Sequence, residues 1–193
     1  MKTIKRRVLV VVFMLGTLVN YANNTELDYT LDAKKVKIVF KNAKKGHQLK
    51  IKDANGTVLH SESVSKKGNL IKTFDFSKLN DGSYTLELNK DYQIIVKSIK
   101  IEAGEVIFNE DAKKVIHKPV VRNEENRLMI SKITFDEKPL QIALYYNNEV
   151  IYSETVTGSS IVNRVYRLDE QMTGDYKVVL NNNGRSYSKE FKF

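Results

Sequence analysis

Few residues of this chain have the type and spacing that catalysis or metal binding requires. Three of its 193 residues are histidines, and none is a cysteine. His47, His60 and His117 have no second histidine or carboxylate at metal-ligand spacing, and a cysteine nucleophile or zinc–thiolate site is impossible. The serines lack the strand–turn–helix motif that exposes a nucleophilic hydroxyl. We therefore predict no catalytic residue, no metal ligand and no cofactor-binding residue.

Paired carboxylates are the one catalytic chemistry that the sequence leaves open. The acidic residues in question stand singly at turns or on strand faces: Asp53, Asp75, Asp81, Glu87 and Asp91. Folding could bring two of them together for glycoside hydrolysis without leaving a sequence signature. A chain that folds as two modules of about 70–80 residues has little room for a deep cleft. We therefore expect a protein that is not an enzyme.

Tyrosine is the residue type best suited to a contact surface in this chain. Six of the ten tyrosines lie between residues 145 and 187. Tyr145 and Tyr146 are consecutive, so on a strand they point to opposite faces, and we predict that one is exposed with Tyr152 nearby across a hairpin. Exposed tyrosines suit contacts with protein or glycan. The alternative is that all three are strand-forming residues on a half-buried sheet.

An internal repeat defines the elements that position these residues. Residues 58–101 align without a gap with residues 150–193. A duplication of this length indicates two small modules, each with its own core. The shared residues are then the ones that the fold needs. The identical pairs are Val58/Val150, Ser61/Ser153, Glu62/Glu154, Val64/Val156, Gly82/Gly174, Tyr84/Tyr176, Leu88/Leu180, Asn89/Asn181, Lys97/Lys189 and Lys100/Lys192.

Both copies have the alternation of β-strands rather than the periodicity of helices. Apolar and polar residues alternate along residues 36–41 and 49–52, and Asn55-Gly56 then signals a tight turn. Similar short runs recur between turn residues as far as residue 193. Short strands at intervals of about 8–12 residues are typical of a β-sandwich.

A glycine two residues before a tyrosine opens the same strand in each copy. Gly82 precedes Tyr84, and Gly174 precedes Tyr176. The spacing predicts a tyrosine corner, in which the ring packs inside and the hydroxyl bonds to nearby backbone. We expect these four residues to be structural rather than functional.

The N-terminus has the pattern of a secretory signal. Val8–Val19 is an apolar run that follows a basic start and precedes the small residue Ala22. The run is shorter than the roughly 20 residues that span a bilayer. We predict a signal peptide over residues 1–22, with an uncleaved membrane anchor as the alternative. The basic start consists of Lys2, Lys5, Arg6 and Arg7.

Loss of this leader would leave a mildly basic chain. The full sequence has 32 basic and 23 acidic residues, a formal charge of +9. Without the four basic leader residues the balance is 28 against 23, or +5. Such a charge could favour acidic polysaccharide or lipid head groups, but lysines that simply solvate outer strand faces explain it as well. We expect no nucleic-acid partner, and membrane contact only through the signal segment before cleavage.

The order of these motifs resembles that of a known family. The first copy has Asp53–Val58, Phe74–Leu79, Gly82–Tyr84 and a lysine-containing strand, Val96–Ile101. The second copy keeps the corner and ends the chain. Each copy resembles the β-sandwich C-terminal sorting domain of the bacterial type IX secretion system, found on exported proteins of the Bacteroidota. The resemblance implies an exported protein of similar fold. The second copy keeps Gly174, Tyr176, Lys189 and Lys192.

The sequence therefore predicts an all-β fold, with two tandem immunoglobulin-like antiparallel β-sandwiches after an N-terminal signal segment. We place the first module at residues 23–103, a linker at 104–126 and the second module at 127–193. In the linker, Val115, Val120 and Val121 are predicted to add an edge strand to the second module.

The predicted function is surface binding or adhesion at the bacterial envelope, without catalysis or a cofactor. The expected partner is a protein or a glycan of the envelope. The alternative is a type IX secretion protein whose C-terminal module serves as a sorting signal for the secretion machinery. The predicted location is the periplasm, the cell surface or the medium.

Overall fold

The computed structural model describes residues 29–32, 34–108 and 113–193. These residues form antiparallel strands without a helix, so the all-β class predicted from the sequence is confirmed. Within these ranges no helix has the length and apolar character needed to cross a bilayer. The predicted signal peptide, residues 1–22, lies outside the described residues.

Strands β1 to β9 form the first module. Their bounds are β1 (Tyr29–Asp32), β2 (Lys35–Ala43), β3 (Gln48–Lys52), β4 (Val58–Ser63), β5 (Gly68–Asp75), β6 (Gly82–Asn89), β7 (Gln93–Glu102), β8 (Glu105–Phe108) and β9 (Lys114–His117). The smaller sheet has the order β1-β2-β5. The larger sheet has the order β4-β3-β6-β7-β8, and β9 also pairs with β7.

Strands β10 to β16 form the second module. Their bounds are β10 (Val120–Glu124), β11 (Arg127–Ile133), β12 (Leu140–Tyr146), β13 (Glu149–Val156), β14 (Ile161–Arg167), β15 (Asp175–Asn182) and β16 (Arg185–Lys192). The sheet orders are β10-β11-β14 and β13-β12-β15-β16. Apart from β8 and β9, this is the strand order of the first module.

The strand register also corresponds between the two modules. Tyr84 lies opposite Ile99 in the first module, and Tyr176 lies opposite Phe191 in the second. These are the same positions of the aligned copies. Antiparallel strands divided between two facing sheets are the architecture of immunoglobulin-like sandwiches.

Each module has its own hydrophobic core between its two sheets. In the first module Val36 and Ile38 of β2 pack in one cluster with Leu86 and Leu88 of β6, and all four are fully buried. Each such side chain contributes about 1.5–3 kcal/mol relative to an exposed one. Since the chain has no cysteine, no disulfide joins the sheets. The corresponding cluster of the second module includes Leu128, Ile130, Leu140, Ile142, Val178 and Leu180.

An aligned lysine joins the two sheets in each module. The Nζ of Lys97 on β7 donates a hydrogen bond to the carbonyl of Val39 on β2, at 2.7 Å. The Nζ of Lys189 on β16 donates to the carbonyl of Val121 on β10, at 3.0 Å. Lys97 also lies 5.2 Å from the ring centroid of Phe40, a cation–π distance. The identity of these lysines therefore has a structural cause.

The connection between the modules contributes strands to both of them. Val115 lies opposite Ile95 of β7, in the first module. Its predicted place in the second module is therefore wrong, because β8 covers only residues 99–102 of the β7 edge and leaves residues 93–96 free to pair with β9. Val120 and Val121 do pair with β11 of the second module.

A buried ion cluster joins the modules directly. Glu87 of β6 is 7% exposed, and its Oε2 accepts hydrogen bonds from Lys52 Nζ at 2.8 Å and from Arg185 Nη1 at 3.3 Å. Arg185 opens β16 of the second module, and its Nη2 bonds the other carboxylate oxygen. Burial acts to raise the pKa of Glu87, but hydrogen bonds and charge attraction from Arg185 and Lys52 outweigh it, so this pKa lies below 4.5.

We predict that this cluster makes stability depend on acidity. Because the pKa of Glu87 is lowered by folding, its stabilisation is complete above pH 4.5, the ordinary value, and is lost as pH falls through the folded-state pKa. Glu87→Gln should lower the free energy of unfolding at neutral pH by about 2 kcal/mol and flatten its fall below pH 4.5. Urea titrations over a pH series measure both effects. Glu149→Gln, at an exposed position, is the control, and equal pH profiles for the two variants would contradict the prediction.

Candidate interaction surfaces

The histidines named in the sequence analysis lie in three separate places. His47 is 5% exposed, and its Nδ1 accepts a hydrogen bond from the backbone of Lys44 at 3.1 Å. His60 packs edge-on against Phe74, and His117 packs edge-on against Phe135. Among the described residues no group of three histidine or carboxylate side chains could hold a metal ion. His60 and His117 therefore contact aromatic rings, whereas His47 accepts a backbone hydrogen bond and lies 3.4 Å from an Asp91 oxygen through its Nε2.

The predicted corner residues form the same hydrogen bond in both modules. The Tyr84 hydroxyl donates to the carbonyl of Asn80 at 2.8 Å, and the Tyr176 hydroxyl donates to the carbonyl of Met172 at 2.7 Å. Both rings are buried, and burial raises the pKa of Tyr176. The bond links the start of one strand to the chain that leads into it, which is the geometry of a tyrosine corner.

The glycines at these corners have different roles. Gly82 has a φ of +156°, close to extended backbone. A Cβ on Gly174 would lie 2.9 Å from Cε2 of Tyr146, so the Tyr146 ring requires glycine there. Gly174 also exchanges two backbone hydrogen bonds with Phe193, which joins this corner to the residue that follows β16.

The tyrosines proposed for surface contact are divided between two faces. Tyr145 and Tyr146 are both half-buried, and the Tyr146 ring lies 5.1 Å from that of Tyr176 at the core. Tyr145 lies opposite Lys177 and Val150 on the outer side of the sheet. Tyr152 is 45% exposed, but it lies opposite the buried Leu144. It therefore belongs to the inner side, away from Tyr145, because a register shift separates Leu144 from Tyr145.

Tyr152 helps to close the open side of the second sandwich. Its ring lies 5.3 Å from that of Tyr166 on the opposite sheet, and the Tyr166 hydroxyl bonds the Glu154 carboxylate. Glu154 also binds Arg164 at 3.1 Å. Burial and the Glu154 carboxylate raise the pKa of Tyr166. Tyr152 is thus an exposed part of a packing cluster rather than part of an isolated contact site.

The first module closes its open side with residues at the aligned positions. Glu62 binds Lys72 at 2.8 Å, as Glu154 binds Arg164. The rings of His60 and Phe74 lie 6.0 Å apart, where the second module has Tyr152 and Tyr166. Residue types differ between the copies here, but the contacts between the sheets are equivalent.

A cleft of about 670 Å³ lies where the two modules meet. Its walls come from β9, the end of β11 with Phe135, and the turn before Arg185. Lys132 is 4% exposed there, and its Nζ donates to the carbonyls of His117 and Ile133. Burial lowers the pKa of Lys132. Lys132 thus bonds His117 of the first module, and Arg185 bonds Glu87 of the first module, so both residues link the modules beside the cleft.

The outer side of the small sheet in the second module carries exposed apolar residues. We call the outward side chains of β11 and β14 the β11–β14 face. Ile161 is 58% exposed and Val165 is 65% exposed. Ile133 lies opposite Ile161, and Met129 lies opposite Val165. Phe135, which follows β11, is 75% exposed. The core does not use these apolar residues, and the polar pair Ser131–Asn163 separates the two apolar pairs.

Two arginines lie at one end of the β11–β14 face. Arg127 and Arg167 lie directly opposite each other on β11 and β14, at a separation where like charges repel. Glu124 is opposite Arg127 on its other side, and Glu125 lies 3.5 Å from Arg127. Among the described residues none forms an ion pair with Arg167 within 4 Å.

Sequence reasoning missed the β11–β14 face, although a comparison of the two copies contains its signal. The position of Arg167 is occupied in the first copy by Asp75, and that of Val165 by Thr73. In the first module Asp75 lies opposite Lys35, so opposite charges meet where the second module has two arginines. The copies therefore differ at their outer faces while their corners agree.

The first module is similar to a known protein family. Residues 32–102 match the family described as the secretion system C-terminal sorting domain. The first module resembles that family. This confirms the resemblance predicted from the sequence, and the matched range runs from the end of β1 to the end of β7. Among curated proteins, none matches the chain.

Three solved structures are similar at a low level. An α2-macroglobulin from Escherichia coli, spanning domains MG0-NIE-MG1, has 7% identity and a TM-score of 0.29, with 82% of this chain and 59% of the other covered. The BSP domain of a biofilm-associated protein has 11% identity and a TM-score of 0.27, with 84% of this chain and 27% of the other covered. The human OSCAR ligand-binding domain has 9% identity and a TM-score of 0.25, with 83% of this chain and 90% of the other covered. The chain thus spans less than two thirds of the first two.

We predict that the first module, which resembles the sorting-domain family, and the second module depend equally on their corner hydroxyls. Tyr84→Phe and Tyr176→Phe each remove one hydroxyl–carbonyl hydrogen bond but keep the buried ring, so each should lower the free energy of unfolding by about 1 kcal/mol. Chemical denaturation checks both values. Tyr92→Phe is the control, since Tyr92 is 70% exposed, and a corner variant as stable as this control would contradict the prediction.

Proposed function

We propose that this chain is an exported protein of the type IX secretion route, which acts by binding at the bacterial envelope and not by catalysis. The match of residues 32–102 to the sorting-domain family carries this proposal. The match spans most of a complete sandwich with its own core, so the similarity concerns a whole folded unit. The final location, at the surface or in the medium, is part of the proposal.

The sorting role would depend on a folded surface rather than on a linear signal. Gly82 and Tyr84 are at a buried corner, and Lys97 bonds across the sandwich. These residues therefore maintain the shape of the module. A secretion component that binds the module would contact outward groups such as those beside Lys35 and Asp75 on the small sheet.

The two modules could share this role in either of two ways. The family match favours the first module as the sorting-related unit. The second module is the alternative, because it has the same strand order and the same corner bond. We favour the first module as the sorting-related unit and regard the second as the unit that binds.

We predict that export requires a functional type IX system. The protein, expressed in a bacterium with this system, should be found at the surface or in the medium. It should remain in the periplasm in an isogenic strain whose system is inactive, because the module would have no receptor there. Immunoblots of cell fractions measure this, with a periplasmic protein as the fractionation control. Equal release from both strains would contradict the proposed route.

A fusion protein distinguishes the two modules. A folded reporter fused after Phe193 leaves the first module unchanged but covers the end of the second. Export of the fusion at the level of the parent is expected if the first module is recognised. Loss of export, with the fusion still folded and stable in the periplasm, would assign the sorting role to the second module.

The binding part of the proposal has its own observation. The β11–β14 face exposes Ile161, Val165 and Phe135, and burying such groups against a partner is favourable. The partner of this face would be a protein or a glycan of the envelope. Tyr145 lies opposite Lys177 on the four-stranded sheet of the second module. It is the second position where a contact of this kind could form.

A further inference from the structure

We propose that the β11–β14 face binds an extended acidic and apolar peptide segment of a partner protein, which adds to β14 as a further strand. This inference rests on the binding part of the proposed function and names the surface and the partner chemistry. It does not depend on the secretion route, because it concerns the second module alone.

The free edge of β14 provides the first part of the site. In the order β10-β11-β14 the last strand pairs on one side only. Its other side presents backbone donors and acceptors that an added strand can satisfy. A lipid surface or a glycan cannot pair with a strand edge in this way, so the edge favours a peptide.

The outward side chains of β14 provide the second part. Ile161 and Val165 are both more than half exposed, and on a strand they are separated by the outward residue Asn163. Side chains of an added strand would stand beside them at cross-strand distance. Apolar residues at alternate positions of the peptide would therefore be covered by Ile161, Val165 and their neighbours on β11.

The charge of the face selects an acidic partner. Arg167 stands at the free edge with Arg127 directly behind it, and Glu124 lies on the far side of Arg127. Across β10, β11 and β14 the charges at this level are negative, positive and positive. A glutamate or aspartate of an added strand, placed opposite Arg167, would put a negative charge next to the last positive one. The first module already has alternating charges, because Asp75 lies opposite Lys35.

A second copy of this chain is a less favourable occupant. It would bring the same arginines and the same apolar residues to the contact, so its charge would not complement Arg127 and Arg167. The edge of β13 is also less suitable for an acidic peptide. The β13 edge carries Glu149 and Glu154, and Glu154 is already bound to Arg164.

Binding of synthetic peptides to the purified protein tests the inference. The probe is a labelled peptide of about eight residues, the length of an ordinary strand. Threonine occupies every second position. The positions between carry glutamate, valine, valine and isoleucine, in that order. A peptide with lysine in place of glutamate is its matched control. We expect the acidic peptide to bind, the lysine peptide to bind more weakly by on the order of tenfold, and added salt to reduce the difference.

The repeat supplies the decisive variant. Arg167→Asp gives the second module the charge pair of the first, so the fold should be unharmed while acidic-peptide affinity falls on the order of tenfold. Val165→Thr copies Thr73 and should also weaken binding. Lys66→Asp makes the same change of charge at an exposed position of the first module and should leave binding unchanged. Thermal unfolding of each variant verifies that it is folded.

Three results would overturn the inference. One is equal affinity of Arg167→Asp and the parent for the acidic peptide. Another is equal loss in Lys66→Asp and Arg167→Asp, which would mean a non-specific charge effect. The third is binding to anionic phospholipid vesicles without binding to the peptide, which would assign the face to a lipid surface. None of these results bears on export, so they are distinguishable from failure of the secretion proposal.

Discussion

Closure of two sheets over a core without any covalent cross-link is the constraint on which both modules depend. Alternate residues of every central strand face inward, and side chains such as Ile38, Leu88, Leu128 and Leu180 are almost completely buried. Burial alone does not determine how the edges of the sheets meet. The edges are held by cross-sheet contacts that recur in both modules: the Lys97 and Lys189 bridges and the ion pairs of Glu62 and Glu154.

This constraint explains which residues the two copies share. A corner tyrosine needs a buried ring and a carbonyl within reach, and both Tyr84 and Tyr176 have them. Positions that only need to fill space tolerate changes, as where His60 and Phe74 are matched by Tyr152 and Tyr166. Identity between the copies therefore marks specific hydrogen bonds more reliably than it marks function.

Differences between the copies are more informative about function than their identities. The outer face of the small sheet has a Lys35–Asp75 pair in the first module and an Arg127–Arg167 pair in the second. Neither pair contributes to a core, so folding does not explain the change. The junction through Glu87 and Arg185 joins a module that resembles a sorting domain to one whose outer face carries two facing arginines and the exposed Ile161 and Val165.

Local patterns in the sequence were enough to predict the central strands, the turns and the corners, because alternation and turn residues act over a few neighbouring positions. The strand at 140–146 and the corner residues could be read directly in this way. The folded structure was needed to show that Tyr152 faces inward, because a register shift beside Leu144 reverses the expected side. It also decided that Val115 pairs with the first module and that Arg127 meets Arg167. These pairings join residues far apart in the chain, and their register depends on how whole sheets pack.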